Sequence, residues 1–294
     1  TYPNIQCQTT VYDYLLLKIT AENIMSCERI SLEITDDNVA VLTFKHPEAL
    51  NAIGMQMLKE ISIALKQVAA MKARCLLITG SGRAFCSGAN LTDRTADSLK
   101  EPMPEGVIAE SDMGEGLEKF YHPILLTIKE LDMPVVSAVN GVAAGVGTSF
   151  AMIADITLAA KSAYFLQAFA RIGLVPDGGS TFMLPRLVGW GRAMELALLA
   201  EKLPAEKAFE WGLVNRLTED DAIMEDAMEI AVRLAKGPKS VTLIRKAMWD
   251  SLNNSFEQQI HLERKYQKEA GRTKDHKEGV TAFLEKRNAN FIGE

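Results

Sequence analysis

Residues 134–149 read PVVSAVNGVAAGVGTS, and the change of character inside that stretch decides the fold. Residues 135–139 (VVSAV) have the β-branched, apolar composition of a buried strand, and glycines follow at positions 141, 145 and 147. Glycine at a strand exit lets the chain turn sharply and brings bare backbone close to a ligand. A helix is expected over residues 146–154, so the N–H of Val146 opens it. Further along, residues 172–180 (IGLVPDGGS) carry one ionisable group, Asp177, in apolar sequence. Backbone N–H groups can stabilise a developing oxyanion, and a carboxylate in apolar surroundings can acquire a raised pKa and move a proton. Together the two segments point to enolate chemistry.

Outward from this centre, residues 30–34 and 39–44 flank the turn 36–38 as a hairpin. Residues 55–71 follow a helical period and lead to a buried strand at 75–79; another short strand is expected at 156–159. Strand, helix, strand is the signature of parallel pairing with right-handed crossovers. After about residue 185 the pattern becomes successive amphipathic helices, at 192–200, 205–211, 222–236, 240–251, 256–270 and 277–286. Only residues 213–217 interrupt them with strand-like content. The sequence therefore predicts an α/β core over residues 28–190 and a helical C-terminal region over 191–294. Residues 1–27 are read as an N-terminal extension of unknown role. Residues 92–116, rich in Asp, Glu, Pro, Met and Gly, form a long loop, either a lid over a ligand channel or a surface excursion.

The chain has 294 residues, 48% hydrophobic and 24% charged, as expected for a protein with a sizeable core. A net charge of −6 argues against nucleic acid as the main partner. The basic residues at 264–268 and 274–277 interleave with Glu and Asp at helical spacing, the mark of a solvated face. Cys7, Cys27, Cys75 and Cys86 form no CxxC pair and no Cys/His group with zinc spacing, so no metal and a reducing, cytoplasmic location are expected. No apolar run reaches the roughly 20 residues of a membrane span. Residues 11–19 are short and interrupted by Asp13 and Lys18, a poor signal peptide.

Five segments carry a family resemblance: HPEALNAIG at 46–54, GRAFCSGANL at 82–91, residues 134–149, GLVPDGGSTFMLPRLVG at 173–189 and EWGLVNRL at 210–217. In order and spacing they resemble the crotonase (enoyl-CoA hydratase/isomerase) superfamily, from about residue 28 to the end of the sequence. The resemblance implies a crotonase-like (ββα)n spiral core. It implies an acyl-CoA thioester as substrate, with the N–H groups of Ala89 and Val146 polarising its carbonyl. Position 146 is often glycine in the family; valine keeps the backbone donor if its side chain turns away from the oxygen. Ala49, Ser87, Gly88, Asn90 and Leu91 are implied along the CoA channel. No metal or redox cofactor is implied, and CoA enters as part of the substrate. Family members assemble as trimers or pairs of trimers, with C-terminal helices near a neighbour's CoA site.

Hydratases of the superfamily use two glutamates, at positions that here read Ser149 and Phe169. Neither is a carboxylate, whereas Asp177 matches the acidic position of several isomerases. The resemblance is strongest to a subgroup that isomerises ring epoxides and shifts double bonds in enoyl-CoA, carried by residues 120–123, 168–179 and 262–287. The expected activity is therefore isomerisation, with Asp177 as proton shuttle and Phe169 as a pocket wall. Three alternatives stay open: a hydratase or hydrolase, an aryl-CoA dehalogenase using Asp177 with His122, and a non-catalytic acyl-CoA binder. The tetrapeptide PDGG at 176–179 is also good turn chemistry in its own right.

Overall fold

The computed structural model describes residues 27–91 and 113–294. Strands β1 (Ile30–Ile34) and β2 (Val39–Phe44) form the expected antiparallel hairpin, turned through Asn38, whose φ of 60° lies in the left-handed region. Helix α1 (Met55–Ala70) buries Met57, Leu58, Ile61, Ala64, Leu65 and Val68, positions that recur at helical spacing. It leads to β3 (Cys75–Gly80), buried along its whole length. The large sheet continues with β5 (Val135–Val139), β7 (Ile156–Ala160) and β10 (Arg216–Thr218), in the order β1-β2-β3-β5-β7-β10. Every pairing beyond the first hairpin is parallel.

A second sheet, β4-β6-β8-β9, is built from Ala84–Cys86, Val142–Ala144, Tyr164–Leu166 and Lys202–Pro204. Its first three strands each follow a long strand of the large sheet after a tight turn. Gly80 and Gly141 allow those turns: a Cβ on either would lie 2.2 Å from a carbonyl oxygen, that of Ala84 and Arg83 respectively. Long strand, turn, short strand and helix then repeat, giving the crotonase-like spiral. The two sheets and helix α3 (Val146–Met152) meet at Phe44, Phe85 and Phe150, whose rings pack edge to face at 5.5 and 5.6 Å.

The remaining helices are α2 (His122–Glu130), α4 (Ser180–Val188), α5 (Trp190–Leu199), α6 (Ala205–Trp211), α7 (Ile223–Ala235), α8 (Ser240–Ser251), α9 (Phe256–Ala270) and α10 (Lys274–Glu285). The C-terminal region is thus less purely helical than its sequence pattern. It contributes β9 to the small sheet and β10 to the large one. Of the long loop expected at 92–116, residues 113–116 are helical and lead through 117–121 into α2, while 92–112 lie outside the described residues. The N-terminal extension lies outside them through residue 26. No helix among the described residues is long and apolar enough to cross a membrane.

An ion pair between buried Arg245 and partly buried Asp155 fastens α8 to the core. The guanidinium of Arg245 donates to Asp155 Oδ2 at 2.6 Å and to the carbonyls of Ile128, Lys129 and Leu131 at the end of α2. Asp155 also accepts from the backbone N–H of Val135 at 2.7 Å and from the indole of Trp249 at 3.2 Å. Removing Arg245 leaves a partly buried carboxylate and three carbonyls without their donor, at a cost of up to about 3–5 kcal/mol. Arg245→Met is therefore expected to lower stability by that amount in urea unfolding. Asp132→Asn, which loses only exposed pairs to Lys239 and Lys246, is expected to cost about 1 kcal/mol or less.

Candidate active site

The loop after β4 is held by backbone bonds to the segment 46–54. Ile53 pairs with Ala89 in a parallel bridge: its N–H donates to Gly88 O at 2.8 Å, and its carbonyl accepts from Asn90 N–H at 2.9 Å. In this pattern the partner residue's own N–H and C=O point to the other side, so Ala89 turns its N–H away from Ile53. Ser87 is fixed from the same segment, its N–H donating to Leu50 O at 3.0 Å and its hydroxyl to Ala49 O at 3.2 Å. Asn51, fully buried, braces segment and turn together through bonds to Ser81 O, Ala84 O and the N–H of His46. The N–H of Gly88 donates to Cys86 Sγ at 3.5 Å, which leaves Ala89 as the donor facing outward from this turn.

The exit of β6 lies directly against that loop. A Cβ on Gly88 (φ +107°) would stand 3.0 Å from Ala144 O, and one on Gly145 (φ +53°) would stand 3.9 Å from Gly88 Cα. Both positions need glycine for their backbone angles, and at Gly88 for space as well. Val146, the first residue of α3, has no carbonyl within its helix to receive its N–H. Two backbone turns whose Ala89 and Val146 N–H groups have no partner among the described residues thereby lie side by side, an arrangement suited to stabilising an oxyanion. Phe169 is buried beside them, its Cζ 3.8 Å from the position a Gly145 Cβ would take.

The turn 176–179, which carries Asp177, packs on the same helix, α3. A Cβ on Gly178 would lie 2.8 Å from Ser149 Cβ and Oγ and 3.3 Å from Val146 Cγ2. The turn therefore sits on the face of α3 that carries Val146 and Ser149, and the valine side chain packs toward this turn. Asp177 is partly buried, with its Oδ1 shielded from solvent. Ser149 and Ser180, also buried, bond to each other and to the Asp177 backbone carbonyl.

Of the other sequence candidates, Ala49, Asn90 and Ser87 are partly buried around the Ala89 turn, and Leu91 is exposed beyond it. His122 is exposed at the start of α2. The inward position is taken by its neighbour Tyr121, 2% exposed, whose hydroxyl donates to Ile53 O at 3.3 Å. Tyr121 thus reinforces the strut behind Ala89, a role that no sequence motif announces. Gln167, 2% exposed, was equally silent in the sequence. It follows β8 at the level of Gly145, and its amide N and O have no hydrogen-bond partner among the described residues.

A large parallel sheet, a short second sheet and stacked glycine turns at the exits of β4 and β6 define a crotonase-fold enzyme. The chain belongs to the enoyl-CoA hydratase/isomerase family, whose model matches residues 35–294. It is 42% identical over 264 residues to the 1,2-epoxyphenylacetyl-CoA isomerase of Escherichia coli (strain K12), covering 89% of this chain and 98% of that protein. It is 43% identical over 270 residues to a probable enoyl-CoA hydratase of Rhodobacter capsulatus, covering 92% and 100% respectively. A crystal structure of a putative enoyl-CoA hydratase/isomerase from Mycobacterium abscessus superimposes with a TM-score of 0.84 at 29% identity, covering 90% of this chain and all (100%) of that one.

Cys86 gives a test of how tightly the Ala89 turn is closed. Burial pushes its thiol up to about 12, the Gly88 N–H opposing that only in part. A raised pKa keeps the thiol protonated through neutral pH, and the thiolate is the reactive form. At pH 8, iodoacetamide is expected to spare Cys86 in the folded protein and label it after denaturation, as read by peptide mass spectrometry. Rapid labelling of the folded protein would show that the turn opens.

Proposed function

We propose that the protein is an acyl-CoA isomerase that shifts a double bond, or isomerises a ring epoxide, through a thioester enolate. The observation that carries this reading is the replacement of two carboxylates by one. By the family resemblance Ser149 and Phe169 stand where hydratases of the superfamily carry glutamate, while Asp177, with its Oδ1 shielded from solvent, lies on a turn that packs against the helix starting at Val146. The 1,2-epoxyphenylacetyl-CoA isomerase named above lends support through its similarity over most of the chain.

In this reaction the thioester oxygen sits between the N–H groups of Ala89 and Val146. The carboxylate of Asp177 removes a proton from C2 of a 3-enoyl thioester, and the C–H electron pair moves into the dienolate with its charge on the oxygen. Each backbone donor is worth about 3–4 kcal/mol to that charge. Protonated Asp177 then returns the proton at C4, which restores the carboxylate and leaves a 2-enoyl thioester. Ala49, Ser87, Gly88, Asn90 and Leu91 border the CoA channel, and Phe169 keeps water from the enolate. His122 carries no step.

Asp177→Asn is expected to lower proton exchange at C2 and isomerisation by about 10²–10⁴-fold while CoA-ester binding stays within a few fold. Exchange at the parent rate would overturn the assignment. A second reading, hydration, draws on the relative from Rhodobacter capsulatus. Reaction in ¹⁸O-labelled water separates the two, because only hydration places solvent oxygen in the product.

The assembly belongs to the same proposal. Phe256 on α9, and Phe283 and Leu284 on α10, are 78%, 80% and 73% exposed in one chain, surface that association with further copies would cover. Light scattering after size-exclusion chromatography is expected to give three or six chains per particle. A monomer would contradict this.

A further inference from the structure

The position at which a hydratase of the superfamily carries its first glutamate has a defined set of contacts here. Ser149 is 2% exposed and Ser180 is fully buried. The Ser149 hydroxyl donates to the backbone carbonyl of Asp177 at 3.1 Å, and the two serine oxygens are 2.9 Å apart. A hydroxyl has one proton, so with Ser149 donating to Asp177 it is Ser180 that donates to Ser149. The N–H of Ser180 donates to the same carbonyl at 3.0 Å, so the Asp177 carbonyl accepts two bonds. The chain between these points is tightly shaped, with Gly178 at φ +60° and Gly179 at φ +82°.

Val146 and Ser149 are three residues apart on α3 and share a face. Both touch the same glycine, since a Cβ on Gly178 would lie 3.3 Å from Val146 Cγ2 and 2.8 Å from Ser149 Cβ and Oγ. One helical turn therefore carries the backbone donor of Val146 at one end and the anchor of the Asp177 turn at the other. We infer that Ser149 is a positioning residue, whose hydroxyl ties the base-bearing turn to α3 and fixes the distance between the Asp177 carboxylate and a thioester held at Val146. This rests on the reading of Asp177 as the base. A further consequence is that the turn occupies the space a longer side chain at position 149 needs, so a glutamate there displaces Asp177 rather than adding a second working carboxylate.

The test is steady-state isomerisation of a 3-enoyl-CoA thioester by the full chain. Ser149→Ala is expected to lower kcat by about 10–100-fold, the scale of a misplacement near 1 Å, with KM changed less than threefold. Ser149→Cys keeps the side-chain shape with a somewhat larger atom that donates weakly and falls between parent and alanine variant, which covers the case in which Ser149→Ala does not fold. Ser180→Ala spares the Ser149–Asp177 bond and loses less than Ser149→Ala. In an Asp177→Asn background, Ser149→Ala is expected to cause no additional loss, because a tether matters only through the group it holds. Ser149→Glu is expected to lose isomerisation and to gain no hydration.

A parent-like kcat in both Ser149 variants overturns the inference, as does an equal loss in the presence and absence of Asp177, or a gain of hydration in Ser149→Glu. The underlying reading fails separately. If Asp177→Asn alone retains the parent rate, Asp177 is not the base; if it is inactive while Ser149→Ala and Ser149→Cys are normal, only the tether is wrong.

Discussion

The site depends on the parallel bridge between Ile53 and Ala89. By accepting from Asn90 and donating to Gly88, Ile53 consumes the backbone groups on either side of Ala89 and leaves the N–H of Ala89 facing the other way. Everything around it keeps that geometry. Tyr121 donates to the Ile53 carbonyl from one side, Asn51 ties the 46–54 segment to the β3–β4 turn, and Cys86 takes the N–H of Gly88. The exit of β6 is then laid against the same loop through Gly88 and Gly145, whose positive φ angles call for glycine. A donor made from main chain has fixed direction and needs no side-chain rotamer to be held, which suits a charge that exists only in an enolate.

The C-terminal half stabilises this arrangement from a distance. Arg245 collects three carbonyls from the end of α2 and the carboxylate of Asp155. Asp155 in turn receives the first N–H of β5, the strand whose continuation becomes the Gly145–Val146 turn. Through β9 and β10 the same region also closes one edge of each sheet.

Long elements were legible because their burial is periodic. Helices α6, α8 and α9 and the β1–β2 hairpin fall where pattern puts them, and strand β5, buried at every position, where its run of apolar residues puts it. The small sheet was not legible that way: strands of three residues, such as Ala84–Cys86 and Val142–Ala144, are too short for a period to appear. The family resemblance, carried by ordered motifs rather than periodicity, supplied the spiral. At the site, Gly88, Gly145 and Asp177 stood out as residue types with particular uses. Tyr121, Gln167 and Ser180 did not, because their significance lies in what they touch, and Ser149 stood out only as a position without a carboxylate. His122 drew notice as a histidine, yet the adjacent tyrosine occupies the inward position.

Since the proposed oxyanion donors belong to the main chain, no side-chain deletion removes them, and their effect has to be seen on the ligand. Isotope-edited infrared spectroscopy of a ¹³C-labelled thioester carbonyl, bound to the Asp177→Asn protein so that no turnover intervenes, measures it directly. The account predicts a carbonyl band shifted to lower frequency on binding, as the two N–H groups draw charge onto the oxygen. A bound thioester whose carbonyl absorbs where it does in water would contradict it.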